Sequence, residues 1–201
     1  MLSKNLEHSK QGLAFVISAP AGTGKTTLAK MLAEEFPHVI TSVSFTTRKP
    51  RHGEIPGKDY HFLSADEFEK KIESEDFLEH VQLYGNCYGT SRQWVQEQLR
   101  NGKHVIMTID TQGGLLLKNQ FPAIFIFILP PSLNELRKRL EQRKTETPEG
   151  IEKRLEVAKK EVEAAHLYDY NIVNDNLEVA YQTLRSILIA EEHRVRVCEH
   201  I

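Results

Sequence analysis

The chain has 201 residues, 40% hydrophobic and 27% charged, with a formal net charge of −2, which is globular usage and excludes a collagen-like, disordered or low-complexity polymer. Near-neutral charge provides no general attraction to nucleic acid or to an anionic membrane, so neither partner is expected and any anion site must be local. The two cysteines, Cys87 and Cys198, form neither a disulfide framework nor a zinc spacing, residues 1–11 lack the apolar run of a secretory leader, and no stretch reaches the roughly 18 apolar residues of a membrane span, so a cytoplasmic location is the default expectation.

In chain order, residues 13–18 are apolar up to a final serine, as a strand buried on both faces would be. Residues 25–36 follow with Leu28, Met31, Leu32 and Phe36 at helical spacing. From 38 to 101 the texture changes to short β-like pieces, scattered glycines and two modest helices, which reads as an insertion closing over a substrate. Buried strands are expected again at 104–110 and 123–129, the second stopped by Pro130 and Pro131. Ser132 and Glu135 have capping-box spacing for a helix to about Gln142. Thr147 and Pro148 read as N-cap and first residue of another helix, with Ile151, Leu155, Ala158 and Val162 on one face. A strand at 170–173 and a helix at 177–194 end the pattern. The alternation predicts an α/β fold with a parallel core sheet, the core formed by 1–37, 102–142 and 155–201, the insertion by 38–101, and a small lid by 143–154.

The segment Ser18-Ala19-Pro20-Ala21-Gly22-Thr23-Gly24-Lys25-Thr26-Thr27 lies between that first strand and first helix, where a P-loop belongs. Its glycines let successive backbone N–H groups converge on a phosphate, and the helix N-terminus adds its positive end. Lys25 reaches the β- and γ-phosphates in such a loop, and the Thr26 hydroxyl holds Mg²⁺. The first glycine of the motif is replaced by Ala19, which is compatible if that position has negative φ. The expected architecture is therefore a three-layer P-loop NTPase-type sandwich.

At Ser42-Val43-Ser44-Phe45-Thr46-Thr47-Arg48-Lys49-Pro50-Arg51 the chain begins to resemble the guanylate kinase family, and the likeness continues in order. It runs through Gly53-Glu54, Gly57-Lys58-Asp59-Tyr60, Phe77-Leu78-Glu79, Gly85-Asn86-Cys87-Tyr88-Gly89-Thr90-Ser91 and Ile109-Asp110-Thr111-Gln112-Gly113 to Val173-Asn174-Asp175. The resemblance implies an ATP-dependent, reversible kinase of GMP, and of dGMP, acting by direct in-line transfer. In that reading Ala19 to Thr27 hold ATP with Arg139 and Asn174. Arg48, Arg51, Tyr60 and Tyr88 hold the GMP phosphate, and Ser44, Glu79, Thr90 and Asp110 read guanine. Lys25, Arg48, Arg143 and Arg154 supply charge to the transfer, with Mg²⁺ on Thr26. One departure is Thr108, where the family usually has a further acid.

The chemistry agrees with the resemblance. A nucleoside monophosphate is nearly dianionic, and arginine offers it a fork of donors. Guanine presents N1–H and N2 amino donors that a carboxylate accepts, whereas adenine presents the wrong pattern. The scattered histidines, including His61, His80 and His104, show no paired metal spacing. Two rivals are a non-catalytic guanylate-kinase-like interaction module and a related kinase of ribose bisphosphate; Lys25 and Thr26 argue against the first, and Ser44, Glu79, Thr90 and Asp110 against the second. The oligomeric state is not legible, and a monomer is compatible with everything read. Lys25→Met is expected to lower turnover by at least ~10²-fold with the circular-dichroism spectrum unchanged, as loss of a charge contact to the transition state predicts.

Overall fold

A computed structural model describes residues 11–142 and 147–195. Its main sheet has five strands, β1 (Ala14–Ser18), β2 (Val39–Thr41), β7 (His104–Thr108), β8 (Ile124–Leu129) and β9 (Tyr170–Val173), in the order β2-β7-β1-β8-β9. All neighbours are parallel. Parallel strands need crossover helices, and these cover both faces.

Alternation along each strand decides which residues meet which layer. Phe15 and Ile17 of β1 join Ile106, Ile126, Ile128 and Ile172 beneath α1 (Lys25–Glu35) and α7 (Leu177–Glu192). Ala14 and Val16 point the other way, with Val105, Met107, Phe125 and Phe127, toward α3 (Arg92–Arg100) and α4 (Thr111–Lys118). A third apolar cluster joins Leu136 and Leu140 of α5 (Leu133–Gln142) to Ile151, Leu155 and Ala158 of α6 (Pro148–Glu163).

A second, four-stranded sheet orders β4 (His61–Phe62), β3 (Phe45–Thr46), β6 (Asn86–Ser91) and β5 (Phe77–Leu83) as β4-β3-β6-β5, with α2 (Ala65–Glu73) beside it. Ser64 and Glu67 form a capping box at the start of α2, which satisfies orphan donors of its first turn.

Three expected boundaries move. β2 pairs with β7, and Val95 and Leu99 of α3 lie in the main core, so both ends of the 38–101 segment belong to the core layers. The boundary expected between 154 and 155 falls inside α6, which runs without a break; residues 143–146 of the expected lid lie outside the described residues. The sequence reading also missed α4, which opens at Asp110 as N-cap and contains Gly113 and Gly114. Glycine is a poor helix former, but a Cβ at Gly114 would lie 2.7 Å from both Ser18 Oγ and Tyr168 Oη. Close packing against β1 overrides propensity there.

Leu136 is fully buried where the P-loop, α5 and α6 meet: a Cβ on Gly22 would come within 3.2 Å of its side chain. Leu136→Ala is expected to reduce unfolding free energy by about 2–5 kcal/mol in a denaturant titration.

Candidate active site

The P-loop leaves β1 at the centre of the sheet, so its phosphate-facing turn stands at the carboxyl ends of the parallel strands, the usual ligand edge of such sheets. Gly22 and Gly24 have φ of 97° and 93°, while the described non-glycine residues with positive φ are Glu75 and Tyr84. Ala19 therefore does not need glycine, and its methyl is buried in the core. Thr23 Oγ1 donates to the Pro20 carbonyl at 2.8 Å and closes the loop. Gly24 caps α1 without a side-chain hydrogen bond, which leaves the first N–H groups of that helix to a ligand.

Lys25, half-buried, donates from Nζ to the Ile109 carbonyl at 3.0 Å. Burial pushes its ammonium below the usual lysine range, opposed by the charges of Asp110, Glu161 and Glu79. Thr26 and Thr27 are exposed on the first turn.

Across the cleft, the β3–β4 connection presents Arg48. Its guanidinium donates from Nη2 to Glu54 Oε1 at 2.7 Å and lies 5.3 Å from the Tyr60 ring centroid. Glu54 also accepts from the Arg51 backbone N–H at 2.8 Å, and the Arg48 hydrogen bond holds its carboxyl below the usual range. Tyr60 and Tyr88 meet edge to face at 6.1 Å. Burial, then the neighbouring Tyr88, raises the Tyr60 phenol.

Glu79 points inward from β5. It is 7% exposed; Oε1 accepts from the buried Thr90 hydroxyl at 2.7 Å, while Oε2 is buried with no hydrogen-bond partner. Burial pushes the carboxyl up to about 7, with Thr90 opposing and Asp110 adding to the rise. Room for Oε2 exists because residue 113 is glycine: a Cβ there would be 2.6 Å away. Asp110 caps α4, its Oδ1 accepting from Gln112 N–H at 2.9 Å and Gly113 N–H at 3.2 Å.

These groups surround one cavity of about 490 Å³ that brings together Lys25, Thr26, Ser44, Arg48, Arg51, Tyr60, Glu79, Tyr88, Asp110 and Arg154, with Thr108 also on its wall. A larger hollow of about 820 Å³ opens near Gln11, Leu99 and Phe121, but it holds neither the P-loop nor the paired arginines, so chemistry favours the smaller cleft. Thr90 acts from behind Glu79. Asn174 is not on the cleft wall: it is buried, and its Nδ2 donates to the Thr23 carbonyl at 2.7 Å. Arg139 in turn donates to the Asn174 carbonyl at 3.0 Å, so this pair braces the P-loop from behind. Arg143 lies outside the described residues.

Sequence reading passed over three contributors. The sequence marks Glu54 only through the Gly53-Glu54 match; its carboxylate partners Arg48. It marks Gly113 only as part of the stretch after Asp110, without a role, whereas its missing side chain makes room for Glu79 Oε2. Glu161 of α6, half-buried, accepts from Thr111 Oγ1 at 3.0 Å and contributes to the field on Lys25. Nothing in the sequence pairs residues 111 and 161; the layers do.

Among the described residues, His38, His104 and Glu192 form the single group of metal-ligand type. The Leu13 N–H donates to His104 Nδ1 at 3.0 Å, so the ring proton is on Nε2, facing Glu192 Oε1 at 3.0 Å. A metal on Nε2 would need the proton at Nδ1, where Leu13 already donates. The cluster is a hydrogen-bonded tie between strand ends and α7. No described helix is long and apolar enough to cross a membrane.

The family model described as Guanylate kinase matches residues 11–191. A guanylate kinase of Protochlamydia amoebophila is 60% identical over 186 residues, covering 92% of this chain and 94% of that protein. One of Chlamydia trachomatis is 52% identical over 182 residues, covering 90% and 89%. The crystal structure of guanylate kinase from Anaplasma phagocytophilum superposes with a TM-score of 0.78 at 32% identity, over 92% of this chain and 89% of that one. A shikimate kinase from Bacteroides thetaiotaomicron, at 14% identity and a TM-score of 0.50 over 88% of this chain and 98% of that one, shares the fold.

The elevated Glu79 carboxyl has a consequence for stability. Because its folded-state value of about 7 lies above the ordinary 4.5, the neutral form favours the fold; that contribution is complete below about 4.5 and is lost as pH rises to about 7. Denaturant titrations of the nucleotide-free protein from pH 4.5 to 8 are expected to show this loss, and Glu79→Gln is expected to reduce it.

Proposed function

This chain belongs to the guanylate kinase family and is a nucleoside-monophosphate kinase that phosphorylates GMP, and from that premise we propose how its cleft divides the work. The observation that carries the assignment is Glu79 Oε2, a buried acceptor without a donor, in the same cavity as Arg48, Arg51 and Lys25. An orphaned buried acceptor is costly, and guanine N1–H and N2–H supply the missing donors while adenine does not. Ser44, Thr90 and Asp110 complete the base site. Arg48 and Arg51, with the hydroxyls of Tyr60 and Tyr88, hold the GMP phosphate; on binding, that phosphate competes with Glu54 for Arg48. Since the assigned groups meet base and phosphate and none the sugar, dGMP is also a substrate.

ATP takes the P-loop, from Ala19 through Thr27, with Arg139 and Asn174 acting through the loop they brace. The family's phosphoryl donor is ATP with a divalent cation. The hydroxyl of Thr26, exposed on the cleft wall, is a hard oxygen donor of the kind magnesium takes, and we assign it Mg²⁺, which when bound neutralises charge on the phosphates. Lys25 and Arg154 offset the remaining charge on the moving group, with Arg143 as a further cation from the lid. A GMP phosphate oxygen is the nucleophile and needs no strong base. No enzyme-bound phosphoryl group forms, and the reverse reaction passes through the same transition state. Cleft closure excludes water as the competing acceptor. A cytoplasmic enzyme agrees with the cysteine usage.

A coupled assay with ATP and each of GMP, dGMP, AMP and UMP tests this. GMP and dGMP are expected to turn over, with AMP disfavoured by about 10⁴-fold in kcat/KM, the scale for a site built around donor groups the analogue lacks. Glu79→Gln is expected to narrow that gap. Preference for AMP, or no turnover, sinks the assignment.

A further inference from the structure

Tyr84 occupies a position that tyrosine ordinarily avoids. Strands β5 and β6 pair up to Leu83 and Asn86, leaving Tyr84 and Gly85 as a two-residue turn with φ of 50° and 77°. Consecutive positive φ values define a type I′ turn, whose first central residue is normally Asn, Asp or Gly. A bulky side chain in that conformation carries local strain and marks a place to look for function. Core packing does not account for the tyrosine, which is 64% exposed. Its ring instead lies 5.4 Å from the Arg154 guanidinium carbon, and both side chains border the cleft.

The two partners come from opposite sides of the reaction. Tyr84 tips the hairpin that carries Glu79, Tyr88 and Thr90, whereas Arg154 stands on α6, packed against α5 through Leu155 and Ala158. We propose that Tyr84 is a positioning residue for phosphoryl transfer: its ring holds the Arg154 guanidinium at the mouth of the cleft and ties it to the hairpin that receives GMP. The proposal rests on the assignment of Arg154 to the phosphates. A planar cation over an aromatic face keeps its N–H edges directed outward, available to phosphate oxygens. Movement of the hairpin onto GMP carries the arginine with it, so placement of a charge on the donor side depends on occupation of the acceptor side.

The test uses Tyr84→Asn, because asparagine suits a type I′ turn and removes only the ring. Its kcat is expected to fall by about 2- to 5-fold, the factor corresponding to an exposed cation–π contact. KM for GMP should stay within about twofold, since no assigned GMP contact is removed, and the melting temperature should be unchanged or higher. Tyr84→Phe keeps the ring and should keep kcat. On an Arg154→Ala background, itself slower than the parent, Tyr84→Asn should add no further loss. Parental kcat in Tyr84→Asn, or losses that multiply in the double variant, overturns the positioning role while leaving Arg154 in place. Parental kcat in Arg154→Ala overturns the assignment of Arg154 itself, and the role of Tyr84 with it.

Discussion

Lys25 stands within the field of three carboxylates that arrive on three different elements, Glu79 on β5, Asp110 at the head of α4 and Glu161 on α6. Desolvation weakens a buried ammonium, and nearby negative charge restores it. The converse also holds: Lys25 lowers the cost of holding Glu79 and Glu161 out of water. Neither charge set is reasonable alone. The P-loop, the insertion and the helix carrying Arg154 are thus joined electrostatically at one place, before any nucleotide contributes its own charge. On the proposed assignment, an entering triphosphate takes over the lysine and an entering guanine supplies donors to Glu79.

The packing that allows this arrangement is tight. Helix α4 comes close enough to β5 and β1 that Cβ atoms at residues 113 and 114 would reach Glu79, Ser18 and Tyr168. Its first residue, Thr111, meets Glu161, and its N-cap is Asp110. A short helix poor in intrinsic propensity therefore organises one wall of the cleft. Its stability comes from its N-cap and its neighbours, as is usual for helices in folded chains.

Much of this was legible in the residues. Buried parallel strands announce themselves as continuous apolar runs, and caps at Ser132 and Thr147 were found where serine and threonine spacing placed them: Ser132 Oγ accepts from Glu135 N–H and Thr147 Oγ1 from Gly150 N–H. The phosphate loop and the arginine–tyrosine set of the insertion follow from chemistry that few residue types can perform. What escaped was of two kinds. Local rules overridden by tertiary contact, such as the glycines inside α4, hide a helix from propensity. Pairings across layers, such as Arg48 with Glu54, Thr111 with Glu161 and Asn174 with Thr23, depend on distances that no periodicity encodes. Asn174 is instructive: the resemblance places it with ATP, whereas in the fold it is buried and reaches the P-loop through the Thr23 carbonyl.

Helix α6 extends from Pro148 to Glu163 in one unbroken span, about 24 Å at 1.5 Å per residue. It carries Arg154 near its middle and Glu161 two turns further on. A rod of that kind has no joint of its own, so Arg154 and Glu161 keep a fixed spacing along it, and the tight turn Ala164–Leu167 follows directly. A change in its tilt would therefore displace Arg154 at the cleft and Glu161 beside Thr111 together, so the donor-side cation and the acid near Lys25 cannot be repositioned independently.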